Sequence, residues 1–234
     1  MGLETPKVAL EMAGKPLVAH VAQTLLQANI CTLIAVVSDW TRPYLEAMNL
    51  GFIFARQPDP RGTGDATRIG VLALDDSVET VVVACGDSPL FGTETVFRLL
   101  DEHEKHAAAV TLTSCELDNP AGYGRIVRGP KGLVTGIIEE KQASECVRAI
   151  REVNGGLYAF NREWLKKVLQ KVEYSDREFV LTEVVSIAVN EGRTIAVVPV
   201  SSLEIGGVNT PEELNAAERL LTSERKPSNG RADS

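Results

Sequence analysis

Two stretches of this chain carry residue types suited to phosphate chemistry. "CGDSPL" (85–90) places Asp87 directly after an apolar run. In an open α/β sheet the carboxyl ends of strands border the ligand crevice. A carboxylate there offers hard oxygens to Mg2+, which readily shares its shell with phosphates. From position alone, a turn or capping Asp explains the residue equally well. "RQPDPRGTGDAT" (56–67) sets Gly62 and Gly64 ahead of a helical pattern. Glycines admit close backbone approach, and a helix N-terminus offers unpaired N–H groups to an anion or a base. Gln57 adds a side chain that both donates and accepts, as base recognition requires. A turn with a helix cap accounts for this stretch too.

Other stretches are weaker one by one. "AGYGRI" (121–126) carries two glycines around Tyr123, and "GIIEEK" (136–141) ends in Glu139, Glu140 and Lys141. A tight loop and a solvated strand end would suffice for them. Asn154 in "EVNGG" and Asn209 in "GGVNTPEE" fit turns, whose conformations Asn tolerates. Lys7 taken alone is a surface lysine. His20, His103 and His106 read as helix-surface residues, and no His–Cys or Ser–His arrangement points to a nucleophile. Cys31, Cys85, Cys115 and Cys146 form no CxxC, and three lie in apolar runs. They read as small core residues of a reduced, cytoplasmic protein.

The elements that must position these residues follow from periodicity. "TLIAVV" (32–37), "GFIFA" (51–55), "TVVVAC" (80–85) and "AAVTLTSC" (108–115) predict strands. Residues 17–28, 63–74 and 93–103 predict amphipathic helices. Apolar runs without polar alternation, separated by helices, indicate a parallel sheet covered on both faces. The fold class is therefore α/β, with a doubly wound, mostly parallel sheet. Further on, Gly129-Pro130 predicts a hairpin turn, and "REVNGGLYAFN" a strand feeding a helix over 162–171. A helix over 181–190, a strand in "TIAVVPV" and a last helix over 211–221 capped by Thr210 complete the pattern. Residues 223–234 are polar, without periodicity, and predict a disordered tail.

Bulk properties narrow the field. The chain has 234 residues, a net charge of -8 and a sequence pI near 5.1. That excludes a broad nucleic-acid surface, which needs a basic face, but not one local phosphate pocket. The apolar runs are too short for a membrane span, and no signal peptide is evident.

The order of the motifs is more specific than any one of them. Read as PKVAL–AGKPL, RQPDPRGTGDA, CGDSPL, AGYGRI, GIIEEK, EVNGG and GGVNTPEEL, they resemble the sugar-nucleotide pyrophosphorylase superfamily. Within it the chain is most similar to the uridylyltransferase domain of N-acetylglucosamine-1-phosphate uridylyltransferases, over roughly residues 1–222. The resemblance implies a nucleotide-binding half (about 1–115) and a sugar-binding half (about 116–222). It implies Mg2+-dependent uridylyl transfer from UTP to N-acetylglucosamine 1-phosphate, or a related hexose 1-phosphate. By it, Gln57, Gly62, Thr63 and Gly86 would contact the nucleotide, and Lys7 its phosphates. Asp87 and Asn209 would hold Mg2+, with Lys7 and Asp87 carrying catalysis. Gly124, Glu139, Asn154 and Thr182 would bind the sugar. UTP and the sugar phosphate are the partners implied, with no nucleic acid and no membrane. A homo-oligomer and a separate acetyltransferase upstream are compatible with it. A related transferase for another nucleotide or acceptor, and a non-catalytic sugar-nucleotide-binding remnant, stay open.

The departures from the family pattern are specific. Val180 stands where a sugar-contacting Tyr is usual, and Asp65 and Gly155 replace the usual His and Thr. Nothing resembles the family's acetyltransferase repeats. The family's opening strand and its Gly-x-Gly-Thr-Arg loop have no counterpart ahead of Pro6-Lys7. Four or five missing buried side chains would forfeit about 1.5–3 kcal/mol each. We therefore expect the natural chain to start upstream of Met1, a shortened chain or a decayed gene being the alternatives. The 234 residues alone are expected to be weakly stable and weakly active or inactive.

Overall fold

A computed structural model describes residues 5–171, 178–205, 207, 213–215 and 217–219. The chain enters through a tight antiparallel pair, β1 (Glu11–Met12) and β2 (Lys15–Pro16). Ala13 and Gly14 turn it with positive φ. Pro16 then ends the pair and opens α1 (Leu17–Gln27).

From there strands and helices alternate. β3 (Ile34–Val37) leads to a short α2 (Arg42–Ala47), and β4 (Ile53–Arg56) to α3 (Thr63–Leu72). β5 (Thr80–Val83) leads to α4 (Thr93–Lys105), and then comes β6 (Val110–Glu116). The expected hairpin forms from β7 (Arg125–Arg128) and β8 (Val134–Ile138), with Lys131 and Gly132 at positive φ in the turn. A small α5 (Glu145–Arg148), capped by the Ser144 side chain, precedes β9 (Glu152–Asn161). α6 (Arg162–Lys171), α7 (Thr182–Asn190) and β10 (Ile195–Pro199) follow. Residues 213–215 and 217–219 are helical. The predicted cap Thr210 and the tail 223–234 lie outside the described residues.

β9 organises the larger sheet. Along one side it pairs antiparallel with β6, which carries β10 in parallel. On the other side its first half meets β7 at Val153, and its second half meets β5 from Tyr158 to Asn161. The six strands are therefore mixed in direction. β5 is clothed on both faces: Val81 and Val83 join one apolar cluster, Val82 and Ala84 the other. That two-sided burial is what doubly wound strands require.

The sheet is nevertheless in two pieces. Among the described residues β3 and β4 pair only with each other, in parallel, and β5 pairs only with β9. Both pieces lean on α1. Val18 packs with Val37 at the end of β3, and a Cβ on Gly86, beyond β5, would sit 3.4 Å from Val18. The carboxyl ends of β3 and β5 thus share a rim, with no strand bonded between them among the described residues.

Two expectations need correction. Only Cys115 is buried; Cys31 and Cys85 are exposed because they lie beyond the ends of β3 and β5, and Cys146 is exposed on the short α5. His20 and His103 are buried, not surface residues. His20 Nε2 sits 2.8 Å from the Met12 carbonyl oxygen, and His103 Nδ1 sits 2.9 Å from Thr111 Oγ1. Each ring ties its helix to a neighbouring strand. Among the described residues no helix is long and apolar enough to cross a membrane.

Candidate functional site

Most of the singled-out residues gather at the carboxyl rim of the strands. Lys7 sits in a short helical turn, Lys7–Ala9, whose Val8 packs with Val18. A Cβ on Gly86 would lie 3.2 Å from Val8, so the missing side chain lets this turn settle beside "CGD". Lys7 Nζ then donates to Asp87 Oδ2 at 2.6 Å. Both side chains keep somewhat over a quarter of their surface exposed. A half-open pair like this contributes little to stability. It does hold an ammonium and a carboxylate together where a polyphosphate could reach both.

Cys85 is enclosed by protein on most sides despite its accessible surface. That enclosure first, and the charge of Asp87 second, push its thiol up to about 11, with Lys7 opposing. A thiol held protonated is a poor nucleophile.

Gln57 follows β4 and is anchored by its own N–H to the Val37 carbonyl at 2.8 Å. Its side-chain amide donates to Asp65 Oδ2 at 2.9 Å and towards the Gly62 carbonyl at 3.3 Å. The glycines of this loop have a different use from the one their spacing implied. A Cβ on Gly62, whose φ is +101°, would overlap the Phe179 carbonyl, and one on Gly64 would overlap the Phe179 ring. The close approach is made by the chain itself. Phe179 N donates to the Arg61 carbonyl, Gly64 N to the Phe179 carbonyl, and Leu181 N to Thr63 Oγ1, each at 2.9 Å. Thr63, at the start of α3, therefore already uses one of its hydroxyl's two acceptor sites within the chain.

That seam joins the base loop to the second cluster. Next to Leu181, Thr182 Oγ1 donates to Glu139 Oε1 at 2.6 Å. A Cβ on Gly124 would press on the Ile137 side chain at 2.9 Å, and Glu139 Oε2 lies just beyond at 3.4 Å. The Gly124 carbonyl accepts from Asn154 N at 2.9 Å. Asn154 Oδ1 accepts from Gly156 N at 3.1 Å, and its side chain bonds the Tyr158 hydroxyl. Burial holds that phenol well above its ordinary range. Gly124, Glu139, Asn154 and Thr182 thus form one connected group.

Two departures from the family pattern have a physical account. A Cβ on Gly155 would overlap Thr113 Oγ1, which donates to the Leu157 carbonyl and accepts from its N–H. The bulge between Leu112 and Ser114 turns Thr113 into that position, so no larger residue fits at 155. At 180, valine offers no hydroxyl to a ligand. Sequence reasoning missed Asp65 as the partner of Gln57, Phe179 as the loop's packing partner, and Tyr158 behind Asn154. For Asp65 the signal was present, in that a carboxylate inside "GTGDA" needs a cation or donor nearby.

Among the described residues no group of three or more His, Cys, Asp or Glu could hold a metal by itself. Asn209 lies outside them. Asp87 offers a hard-oxygen carboxylate at the rim, beside Lys7. This fits Mg2+, which is held by one or two carboxylates together with substrate phosphates.

The split α/β sheet carries a lysine–carboxylate pair, a glycine loop and an amide side chain beyond its strand ends. A family model described as "Nucleotidyl transferase" matches residues 2–208, and the chain belongs to that family. Among curated proteins it is 40% identical over 229 residues to the bifunctional protein GlmU of Streptomyces griseus, covering 94% of this chain and 48% of that one. It is 38% identical over 225 residues to its namesake in Streptomyces avermitilis (93% and 47%). With the Staphylococcus epidermidis protein of that name it shares 33% over 218 residues (92% and 48%). The chain thus spans about half the length of these relatives.

Proposed function

We propose that this chain is a nucleotidyltransferase that moves a uridylyl group from UTP to N-acetylglucosamine 1-phosphate or a close hexose 1-phosphate. The products are a UDP-sugar, a cell-wall precursor, and pyrophosphate. In this reading residues 1–115 handle the nucleotide and residues 116–222 the sugar. The observation that carries it is the Lys7–Asp87 pair at a strand end, together with the Gln57 loop, which the seam at Thr63 and Leu181 joins to the Glu139–Thr182 group. Two anions must meet, and their repulsion is the main barrier. Lys7 would neutralise and orient phosphate oxygens. Asp87 with Asn209 would hold Mg2+, which supplies charge neutralisation of the phosphates when bound. Gln57 would meet the base, alongside Gly62, Thr63 and Gly86. Glu139, Asn154, Thr182 and the Gly124 backbone would fix the sugar, so that the attacking phosphate and the α-phosphate stand in line. No covalent intermediate is needed, consistent with the protonated Cys85 thiol.

Pyrophosphate release from UTP, CTP, GTP and dTTP, each with sugar 1-phosphate and Mg2+, tests this. UTP and N-acetylglucosamine 1-phosphate should give the fastest turnover, abolished by chelation. Lys7→Ala should lower kcat by about 100-fold or more, the scale of one lost charge-stabilising contact. Turnover with another nucleotide and none with UTP would sink the uridylyl reading. The split between β3 and β5 favours a second reading, a chain that binds sugar nucleotides without turning them over. UDP-sugar binding with no pyrophosphate release would support it.

A further inference from the structure

Asp65 has no role in the chemistry above, yet it is a buried carboxylate, 3% exposed, in the first turn of α3. All of its visible bonding serves one neighbour and one brace. Oδ2 accepts from Gln57 Nε2 at 2.9 Å. Oδ1 accepts from Arg68 Nε at 3.2 Å and from Nη2 at 2.9 Å, which stops the carboxylate from rotating away. The second N–H of Gln57 points to the Gly62 carbonyl at 3.3 Å. A primary amide has two N–H donors and one acceptor oxygen. A carboxylate and a backbone carbonyl can only accept. The nitrogen of Gln57 must therefore face inward, whichever way an amide might otherwise be placed.

What remains for a ligand is Gln57 Oε1. We propose that Asp65 is a positioning residue for base selection: it holds Gln57 with its carbonyl oxygen outward, so the site takes a pyrimidine with an N–H at ring position 3. Uracil has that donor. Cytosine presents a lone pair there and would set two acceptors face to face. Sites that hydrogen-bond a particular group discriminate strongly against analogues lacking it, because a buried polar atom is left unpaired. The inference rests on the reading that Gln57 meets the base. Neither a clamp on the sugar nor a plain structural role for Asp65 predicts a change in base preference.

The test is equilibrium binding of UTP, CTP and N3-methyl-UTP with Mg2+, measured by calorimetry so that turnover is not required. The full chain and its Asp65→Asn variant are compared, with a thermal melt of each. The variant is isosteric, but its amide can donate, so Gln57 can turn over. The unaltered chain should bind UTP at least tenfold tighter than either analogue. The UTP-to-CTP ratio should fall at least fivefold in Asp65→Asn. An unchanged ratio in a folded variant overturns the proposal. If the variant does not fold, equal binding of UTP and N3-methyl-UTP by the unaltered chain overturns it. Tight binding of several nucleotides without discrimination removes this inference alone. Absence of any nucleotide binding removes the functional reading with it.

Discussion

At residue scale, Gly62 and Gly64 are glycines that the packing of the chain itself requires. Their spacing suggests room for a ligand, whereas the structure fills that room with Phe179. Gly64→Ala should therefore cost about 1–3 kcal/mol, the usual toll of overpacking a filled site. Phe179→Leu in the same chain should recover part of the loss. A double-mutant cycle on urea unfolding would read the coupling. Simple additivity of the two changes would refute the contact. Cys85 makes a second test at this scale. With its thiol pushed up to about 11, it should react with iodoacetamide at pH 8 at least about tenfold more slowly than a free cysteine. Peptide mapping would show Cys31 and Cys146 modified first.

At the scale of elements, α4 is tied to β6 through His103 and Thr111. Burial holds the His103 pKa below its ordinary 6.5. The folded chain therefore resists the proton that the unfolded chain accepts near 6.5. The stabilisation is present above that pH and is lost as pH falls through the lower folded value. Melting temperature should drop between pH 7 and pH 5, and His103→Gln should flatten that drop; an identical slope in the variant would refute the assignment. Elements of this kind were largely legible in the sequence. Valine-rich runs became β3, β5 and β10 and amphipathic runs became α1, α3, α4 and α6, because apolar period and burial coincide there. The short α2 and α5 were not foreseen, since four to six residues carry too little periodicity. Nor could spacing reveal the antiparallel course of β9, which is settled by β5 and β7 sharing one of its sides. For the candidate site, motif order singled out Lys7, Gln57, Asp87 and Glu139. It could not show that Asp65, Phe179 and Tyr158 stand behind them, because those contacts join residues far apart in the chain or on opposite sides of a turn.

For the whole molecule, the two-piece sheet governs how the fold should come apart. β6, β9 and β10 are joined by long ladders, broken only at the β6 bulge among the described residues, and their inward residues contribute to the two larger apolar clusters. Among the described residues no ladder hydrogen bond joins the β3–β4 pair to the rest of the sheet, and packing holds it there. Val36 lies against Gly70 of α3, and Val37 against Val18 of α1. Hydrogen-bonded ladders open cooperatively, while a unit held by a few side-chain contacts can open by itself at lower free energy. Native-state hydrogen exchange in low urea should therefore release the amides of β3, β4 and α2 before those of β6 and β9. The amides of β5 that face away from β9 should exchange early as well, because no strand covers that edge among the described residues. Equilibrium unfolding followed by far-UV circular dichroism should then depart from a single two-state transition. One common exchange free energy for all strands would mean that the two pieces are coupled far more tightly than their contacts allow. The same experiment repeated with saturating UTP and Mg2+ bears on function. Gln57 follows β4 and Asp87 follows β5, so a ligand touching both would bridge the pieces. Protection should rise in β3 and β4 while β6 changes little. Uniform protection across all strands would place the nucleotide elsewhere.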